Sequence, residues 1–164
     1  MAIGFERTAT VNEGDTIPAV DLIASDGTPL ALRDFVGAPL VVYFYPKDDT
    51  PGCTREAQDF SALADEFGVA GVKLLGVSKD SPAKHTKFIA KHALRVALAT
   101  DADDAAMAAF GVWVEKSMYG KSYMGIERST FLFDAQGDLV RAWRKVKVPG
   151  HTAAVLEAAG NLKE

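Results

Sequence analysis

A run of six apolar residues, from Leu40 to Tyr45, places the strongest constraint on the fold of this chain. The run (LVVYFY) has the length of a β-strand and consists largely of β-branched and aromatic residues. No polar residue interrupts it, so it predicts a strand that is buried on both faces. Val72–Val77 predicts the next buried strand. Such strands occur where helices cover both sides of a sheet, which favours an α/β fold.

The remaining segments alternate between strand and helix patterns. An Asp26-Gly27 turn signal between two short strands predicts an N-terminal β-hairpin. The order of the elements predicts one domain over residues 1–164, an α/β sandwich with a mixed central β-sheet and helices on both faces. The predicted strands are Val20–Ala24, Pro29–Leu32, Leu40–Tyr45, Val72–Val77, Val96–Ala99, Ser129–Phe133 and Leu139–Trp143; the helices are Thr54–Phe67, Pro82–His92, one capped by Asp101 or Asp103 that ends at Gly111, and one from Gly150 to Leu162.

Composition excludes several classes of protein. Hydrophobic residues make up 48% of the 164 residues and charged residues 24%, which is typical of a globular domain and excludes intrinsic disorder. The net charge of −4 argues against nucleic acid or an anionic membrane as the main partner. The basic cluster from Arg141 to Lys147 alternates with apolar residues and predicts the solvated face of a strand. No apolar run reaches the ~18 residues of a membrane span, and the N-terminus lacks the pattern of a secretory signal.

The chain contains one cysteine, Cys53. A single cysteine excludes an intrachain disulfide and any multi-cysteine metal site, and it favours a reducing, cytoplasmic location. His85 and His92 are seven residues apart on one predicted helix, too far for the usual metal-binding pair, so they and His151 are predicted to be surface histidines. We therefore expect no metal and no cofactor.

Chemistry is expected in the segment from Tyr45 to Glu56, between the most buried strand and the first long helix. Ligands of α/β sheets bind beyond the carboxyl ends of strands, and Cys53 falls at or in the first turn of the helix. Free backbone N–H groups and the helix dipole favour a thiolate there, and Arg55 or Arg128 could add a positive charge. The alternative is that Cys53 is a small buried hydrophobic residue, as most single cysteines are.

The same segment resembles the peroxiredoxins. Pro46, Thr50 and Cys53 match the Pro-x-x-x-Thr-x-x-Cys signature of that family, and YFYPKDDTPGCTREAQDF closely resembles its PrxQ subfamily, also called bacterioferritin comigratory proteins. The likeness extends over nearly the whole chain, including segments 14–18, 110–113, 121–134 and 146–151. It implies a thioredoxin-like fold and the reduction of hydrogen peroxide or organic hydroperoxides by thiols.

The resemblance also implies a role for four residues. Cys53, as a thiolate, would attack the peroxide and become a sulfenic acid. Arg128 would stabilise the thiolate and the charge that develops on the leaving oxygen, Thr50 would orient peroxide and thiolate, and Pro46 would shield the sulfur from water. By themselves, Pro46 could simply end a strand, Thr50 could cap a helix and Arg128 could be a surface charge.

The chain departs from the family at Gln58, where many members carry a second, resolving cysteine. We therefore expect a one-cysteine cycle, in which an external thiol reduces the sulfenic acid: glutathione, a glutaredoxin, thioredoxin or a second copy of the chain. Helix Thr54–Phe67 then has less need to unfold during turnover. A monomer is expected, with a Cys53-linked dimer as an option after oxidation. A peroxide sensor that passes its oxidation to a client protein is the rival function.

A pair of aspartates and two tryptophans complete the predictions from the sequence. Asp48 and Asp49 are predicted to cap turns and to stay solvated rather than to bind metal or act as acid and base. Trp113 and Trp143 are predicted to pack in the fold, with partial exposure as an alternative that would help to receive an organic hydroperoxide or a partner.

Overall fold

The computed structural model describes residues 10–162. Seven of its nine strands form one sheet in the order β2-β1-β5-β4-β3-β8-β9, and β6 and β7 form a separate hairpin. The strands are β1 (Asp21–Ala24), β2 (Pro29–Ala31), β3 (Leu40–Phe44), β4 (Lys73–Ser78), β5 (Ala97–Thr100), β6 (Trp113–Met118), β7 (Lys121–Ile126), β8 (Ser129–Phe133) and β9 (Leu139–Trp143).

Five α-helices connect or flank these strands. They are α1 (Pro51–Ala62), α2 (Ala64–Val69), α3 (Pro82–His92), α4 (Ala105–Phe110) and α5 (His151–Gly160), and a short 3-10 helix covers Leu32–Phe35. No helix within residues 10–162 is both long enough and apolar enough to cross a membrane.

Strand β3 lies near the middle of the sheet and is buried at all five positions, as the apolar run predicts. It pairs in parallel with β4 and antiparallel with β8, and β4 continues in parallel to β5. The mixed sheet is thus confirmed. The β1–β2 hairpin is also confirmed: the Asp26 carboxylate accepts from the Thr28 N–H at 3.0 Å, and Gly27 adopts a φ of 87°.

Successive residues of β3 point to opposite sides, and each side has its own core. Val42 and Phe44 pack on the side that α4 covers, in a cluster that includes Phe110 and Phe131. Tyr43 packs on the other side, where α1, α2, α3 and α5 contribute the apolar residues Phe60, Phe67, Phe88 and Val155. Helices therefore cover both faces, as predicted.

The long helix predicted over Thr54–Phe67 is in fact two helices. Helix α1 begins earlier, at Pro51, because proline fits the first helical position. It ends at Ala62, and Leu63 departs from helical geometry with φ −101° and ψ 9°. Phe60 of α1 and Phe67 of α2 are both fully buried and pack with ring centroids 6.0 Å apart. Helix α4 is also shorter than predicted, and the Asp101 carboxylate accepts from the Ala106 and Met107 N–H groups at its start.

Strands β6 and β7 were not predicted from the sequence. Both are mostly exposed, so they lack the apolar run that reveals a buried strand. The turn between them, Tyr119-Gly120, has positive φ values of 54° and 78°, as a type I′ hairpin turn requires. Asn-Gly or Asp-Gly is the usual signal for this turn, and Tyr119 does not provide it.

The prediction of surface histidines is wrong for two of the three. His85 is fully buried and His151 is nearly so, because each has a polar partner inside the fold. His85 contacts the Asp48 carboxylate at 2.7 Å, and His151 Nε2 lies 2.8 Å from the Thr130 hydroxyl. His92 is half-buried and contacts Asp49.

Candidate active site

Cys53 lies in the first turn of α1, just beyond the carboxyl end of β3. Thr50 is extended (φ −94°, ψ 156°) and Pro51 begins the helix, so the chain enters α1 two residues before the cysteine. The thiol is free, and the residue is only 2% exposed. The sulfur is therefore positioned at a helix N-terminus and largely shielded from water, as the sequence predicts for its place in the helix.

Arg128 provides the positive charge next to this sulfur. Its Nη2 atom lies 3.4 Å from Cys53 Sγ. The pairing of Phe44 with Ser129 explains the contact, since it places the start of β8 beside the end of β3. A guanidinium at this distance stabilises a thiolate more than a thiol. The other candidate, Arg55, pairs with Asp59 on the exposed side of α1 instead.

Glu56 holds the other side of the same guanidinium and was not predicted from the sequence. Its Oε1 accepts from Arg128 Nη1 at 2.7 Å, and the carboxylate is fully buried. Burial raises the pKa of Glu56 to about 7, against the lowering effect of Arg128. Its Oε2 atom and the hydroxyl of Tyr43 have no hydrogen-bond partner among residues 10–162. The signal available in the sequence was a glutamate one helical turn after Cys53.

Gly52 is a second residue that the sequence did not single out for the site. A Cβ atom at this position would lie 3.1 Å from Arg128 Nη2, which is tighter than ordinary van der Waals contact. The absence of a side chain therefore lets the guanidinium approach the start of α1.

Thr50 and Pro46 lie in the loop between β3 and α1. The Thr50 hydroxyl donates to the Lys47 carbonyl at 2.8 Å, and its side chain makes no cap bond to α1. Because that hydroxyl uses its hydrogen in the loop, its lone pairs are the part that can accept from a ligand. Pro46 is half-buried and follows Tyr45, whose N–H still bonds Val77 across the sheet. Pro46 thus also ends the strand.

A buried polar network fixes this loop. Asp48 is buried rather than solvated, which corrects the prediction for it. Its carboxylate accepts from the Tyr45 hydroxyl at 2.5 Å and contacts His85 on α3 at 2.7 Å, and its N–H donates to Asp80 at 2.8 Å. Asp49 remains exposed and pairs with Lys91 and His92. The side chain and the backbone of Asp48 therefore both contact residues outside the loop.

His151 is buried between Phe60 of α1 and Trp143 of β9. Its ring meets Trp143 and Phe60 edge to face, at centroid distances of 5.8 and 6.3 Å. Burial, reinforced by the charge of Arg128, lowers the pKa of His151 to about 4. The imidazole is therefore neutral at physiological pH. Trp143 packs as predicted, whereas Trp113 on β6 is 44% exposed.

The fold and this site define a class of protein. A mixed sheet with helices on both faces, carrying a cysteine at a helix N-terminus against an arginine, is the arrangement of a thioredoxin-like thiol peroxidase. Among the described residues, no cluster of three or more histidine, cysteine or acidic side chains could hold a metal ion.

Comparison with known proteins identifies the family. The family model described as AhpC/TSA matches residues 13–142. Peroxiredoxin Bcp of Xanthomonas campestris is 56% identical over 137 residues, which cover 84% of this chain and 86% of the relative. Peroxiredoxin Bcp of Bacillus subtilis is 44% identical over 155 residues, covering 94% and 99%. The chain belongs to the AhpC/TSA family, as a peroxiredoxin of the Bcp or PrxQ type and hence a thiol-dependent peroxidase.

Solved structures agree with this assignment. The bacterioferritin comigratory protein of Xanthomonas campestris, studied for alkyl peroxide reduction, superimposes with a TM-score of 0.83 at 51% identity and covers 90% of this chain and 97% of its own. A cysteine-to-serine mutant of Xylella fastidiosa PrxQ gives a TM-score of 0.85 at 42% identity, covering 90% and 94%. The thioredoxin-like peroxiredoxin fold is thereby confirmed.

Proposed function

We propose that this peroxiredoxin reduces hydrogen peroxide and organic hydroperoxides, with Cys53 as the nucleophile and Arg128, Thr50 and Pro46 completing the site. The observation that carries the proposal is the 3.4 Å contact between Arg128 Nη2 and Cys53 Sγ. Both sides of the guanidinium are used: one nitrogen faces the sulfur, and the other is held by Glu56. The activity of the Xanthomonas relative on alkyl peroxides supports the inclusion of organic substrates.

The reaction transfers one oxygen atom to the sulfur. The Cys53 thiolate attacks the nearer oxygen of the hydroperoxide, the O–O bond breaks, and its electron pair leaves with the farther oxygen. A proton converts that oxygen into water or an alcohol, and Cys53 becomes a sulfenic acid. Arg128 stabilises negative charge both on the attacking sulfur and on the departing oxygen, because it is fixed beside Sγ before the reaction begins.

Thr50 and Pro46 act on the position and environment of the peroxide. The Thr50 hydroxyl, with its hydrogen already donated to Lys47, accepts from the O–H of the hydroperoxide and so aligns the O–O bond. Pro46 offers no N–H and presents an apolar ring, which limits access of water to the sulfur.

The sulfenic acid is reduced by an external thiol. Structures of Xanthomonas campestris peroxiredoxin Q include two different cysteine-to-serine mutants, so that relative has at least two cysteines. This chain has one: Gln58 stands where many members of the family carry the resolving cysteine, and no cysteine occurs on a later helix either. Thioredoxin, a glutaredoxin or glutathione in the reducing environment of the cytoplasm would supply the thiol to a monomer. If α1 need not unfold in the cycle, hydrogen exchange of this helix should be similar in the reduced and oxidised protein.

The rate of Cys53 oxidation by hydrogen peroxide tests the proposal. We expect a second-order rate constant far above that of free cysteine at the same pH, measured by tryptophan fluorescence. Arg128→Ala should lower it by about 100-fold or more, as for the loss of one preorganised donor to a developing oxyanion.

Arg55→Ala is the matched control, because Arg55 lies on the same helix but pairs with Asp59 on its exposed side. This variant should retain the wild-type rate within about twofold. A wild-type rate no better than that of free cysteine, or equal losses in the two variants, would contradict the proposed site.

A further inference from the structure

A groove lined by cations begins at the active-site arginine. It has a volume of about 500 Å³ and lies between the β6–β7 hairpin and the segment before α5. Its charged lining consists of Lys116, Arg128, Lys145 and Lys147, with Glu115 and Glu127 as the only carboxylates. This basic groove therefore carries an excess of positive charge on a chain whose net charge is −4.

The backbone that carries two lysines of the basic groove is held beside Arg128. The Val146 N–H donates to the Arg128 carbonyl at 2.9 Å, so the two flanking residues, Lys145 and Lys147, are fixed next to the arginine. Lys145 itself has a φ of 52°, a conformation that is uncommon for a residue with a side chain. The segment is thus constrained in a shape that keeps its lysines at the groove.

Lys116 approaches the same centre from the hairpin. Its aliphatic stem runs past Gly125, where a Cβ atom would lie 3.4 Å from Lys116 Cδ. Burial lowers the pKa of Lys116, and the charge of Arg128 acts in the same direction. Among residues 10–162, no carboxylate lies within ion-pair distance of Lys116, Lys145 or Lys147. The groove thus offers three cations to an anionic ligand.

We infer that the basic groove binds the reductant, and that this reductant is a small thiol that carries carboxylates, as glutathione does with its two. The inference rests on the proposed function and deepens it, because it selects one class among the external thiols. A volume of about 500 Å³ is in the range of clefts that hold small molecules. Carboxylates bound to the lysines would leave the thiol at the Arg128 end of the groove, and Arg128 contacts Cys53.

The reduction then balances in two steps. The thiolate of the first ligand molecule attacks Cys53 Sγ, the S–O bond of the sulfenic acid breaks, and the leaving hydroxide takes up a proton to form water. A second thiolate attacks the ligand sulfur of the mixed disulfide, which releases the oxidised ligand disulfide and restores the Cys53 thiolate. A ligand already bound in the groove has a high effective concentration near Cys53 when the sulfenic acid forms.

The test measures the oxidative and reductive steps separately by stopped-flow fluorescence. The protein is oxidised with one equivalent of hydrogen peroxide and then mixed with glutathione or with uncharged 2-mercaptoethanol. The reduction rate with glutathione divided by the rate with 2-mercaptoethanol reports recognition of the carboxylates. In Lys145→Gln/Lys147→Gln we expect this ratio to fall about tenfold, and in the wild type we expect it to fall as salt rises from 0.05 to 0.5 M.

Lys73→Gln/Lys84→Gln is the matched control, since it removes the same charge from exposed positions outside the basic groove. Its ratio should stay within about twofold of the wild type. An equal ratio in the groove variant and the wild type would overturn the inference. A groove variant that instead slows oxidation by a carboxylate-bearing hydroperoxide, with the thiol ratio unchanged, would also overturn it and assign the groove to the substrate. Slow oxidation of the wild type by hydrogen peroxide would refute the proposed function itself.

Discussion

At the scale of single residues, the site depends on how closely Arg128 can approach the start of α1. The guanidinium contacts Cys53 on one side and Glu56 on the other, and Gly52 leaves the room for it. Three neighbouring residues of one helix thus determine where a side chain from the segment between β7 and β8 lies. Only Cys53 of these three belongs to the family signature, so the site extends beyond the residues that the signature names.

Gly52→Ala should separate catalysis from stability. The added methyl group would lie 3.1 Å from Arg128 Nη2 and would displace the guanidinium by a few tenths of an ångström. We expect oxidation of Cys53 by hydrogen peroxide to slow about threefold to tenfold, since donors to a developing charge must be well placed. Stability should not fall, because alanine is the better helix former by up to about 1 kcal/mol. Stopped-flow fluorescence and urea unfolding provide the two measurements.

Gly68→Ala provides the control for this prediction. Gly68 is also helical, and nothing lies within 4 Å of a Cβ atom there. This variant should gain a similar stability with an unchanged oxidation rate. Equal oxidation rates in the two variants would show that Gly52 does not limit the position of Arg128.

At the scale of elements, the loop between β3 and α1 is held by α3 rather than by its own sequence. His85 on α3 is fully buried against Asp48, and its other ring nitrogen lies 3.1 Å from the Ala99 carbonyl of β5. The Asp48 N–H reaches Asp80 just after β4. One aspartate therefore links the catalytic loop to three other elements.

Removal of His85 should destabilise the protein much more than removal of a surface histidine. His85→Ala leaves the buried Asp48 carboxylate with the Tyr45 hydroxyl as its only side-chain partner among residues 10–162, and loss of such a buried contact typically costs about 2–4 kcal/mol. His92→Ala breaks a contact with the exposed Asp49 and should cost less than about 1 kcal/mol. Urea unfolding of both variants measures the difference, and similar losses would show that the buried network contributes nothing specific.

At the scale of the whole molecule, the buried Glu56 carboxyl affects the stability of the fold as a function of pH. Burial raises its pKa from 4.5 to about 7 in the folded protein, so between these values the folded state binds more protons than the unfolded state. Stability then falls as pH rises through this window, by up to about 3 kcal/mol. The loss is complete above about pH 7.

Glu56→Gln should remove this part of the pH dependence, because the amide does not titrate. Urea unfolding at pH 5 and pH 8 should show that the wild type loses more stability on going to pH 8 than the variant does. The same loss of stability between pH 5 and pH 8 in both proteins would mean that the ion pair with Arg128 fully compensates for burial of the Glu56 carboxylate. The wild type and the variant are both measured at both pH values, so the effects of the other titrating groups on stability cancel in the comparison.

Local signals in the sequence determined much of the architecture. The apolar run of β3 corresponds to a strand that is buried at every position, and such a strand can be recognised without knowledge of its neighbours. Pro51 likewise determined where α1 begins, which places Cys53 in its first turn. The resemblance to the peroxiredoxins then directed attention to Cys53, Thr50, Pro46 and Arg128, and these lie at the end of the sheet where β3 leads into α1 and β8 begins.

Which polar side chains contact each other across the fold was decided only by the tertiary structure. Arg128 is 72 residues from Glu56 and 75 from Cys53, and it meets both because β3 and β8 pair in one particular register. His85 could be assigned to the interior only once Asp48, 37 residues away, was known to face it, since a polar side chain is buried where a partner satisfies it. Local patterns report burial and backbone geometry, whereas these pairs depend on packing between distant segments, which no local pattern records.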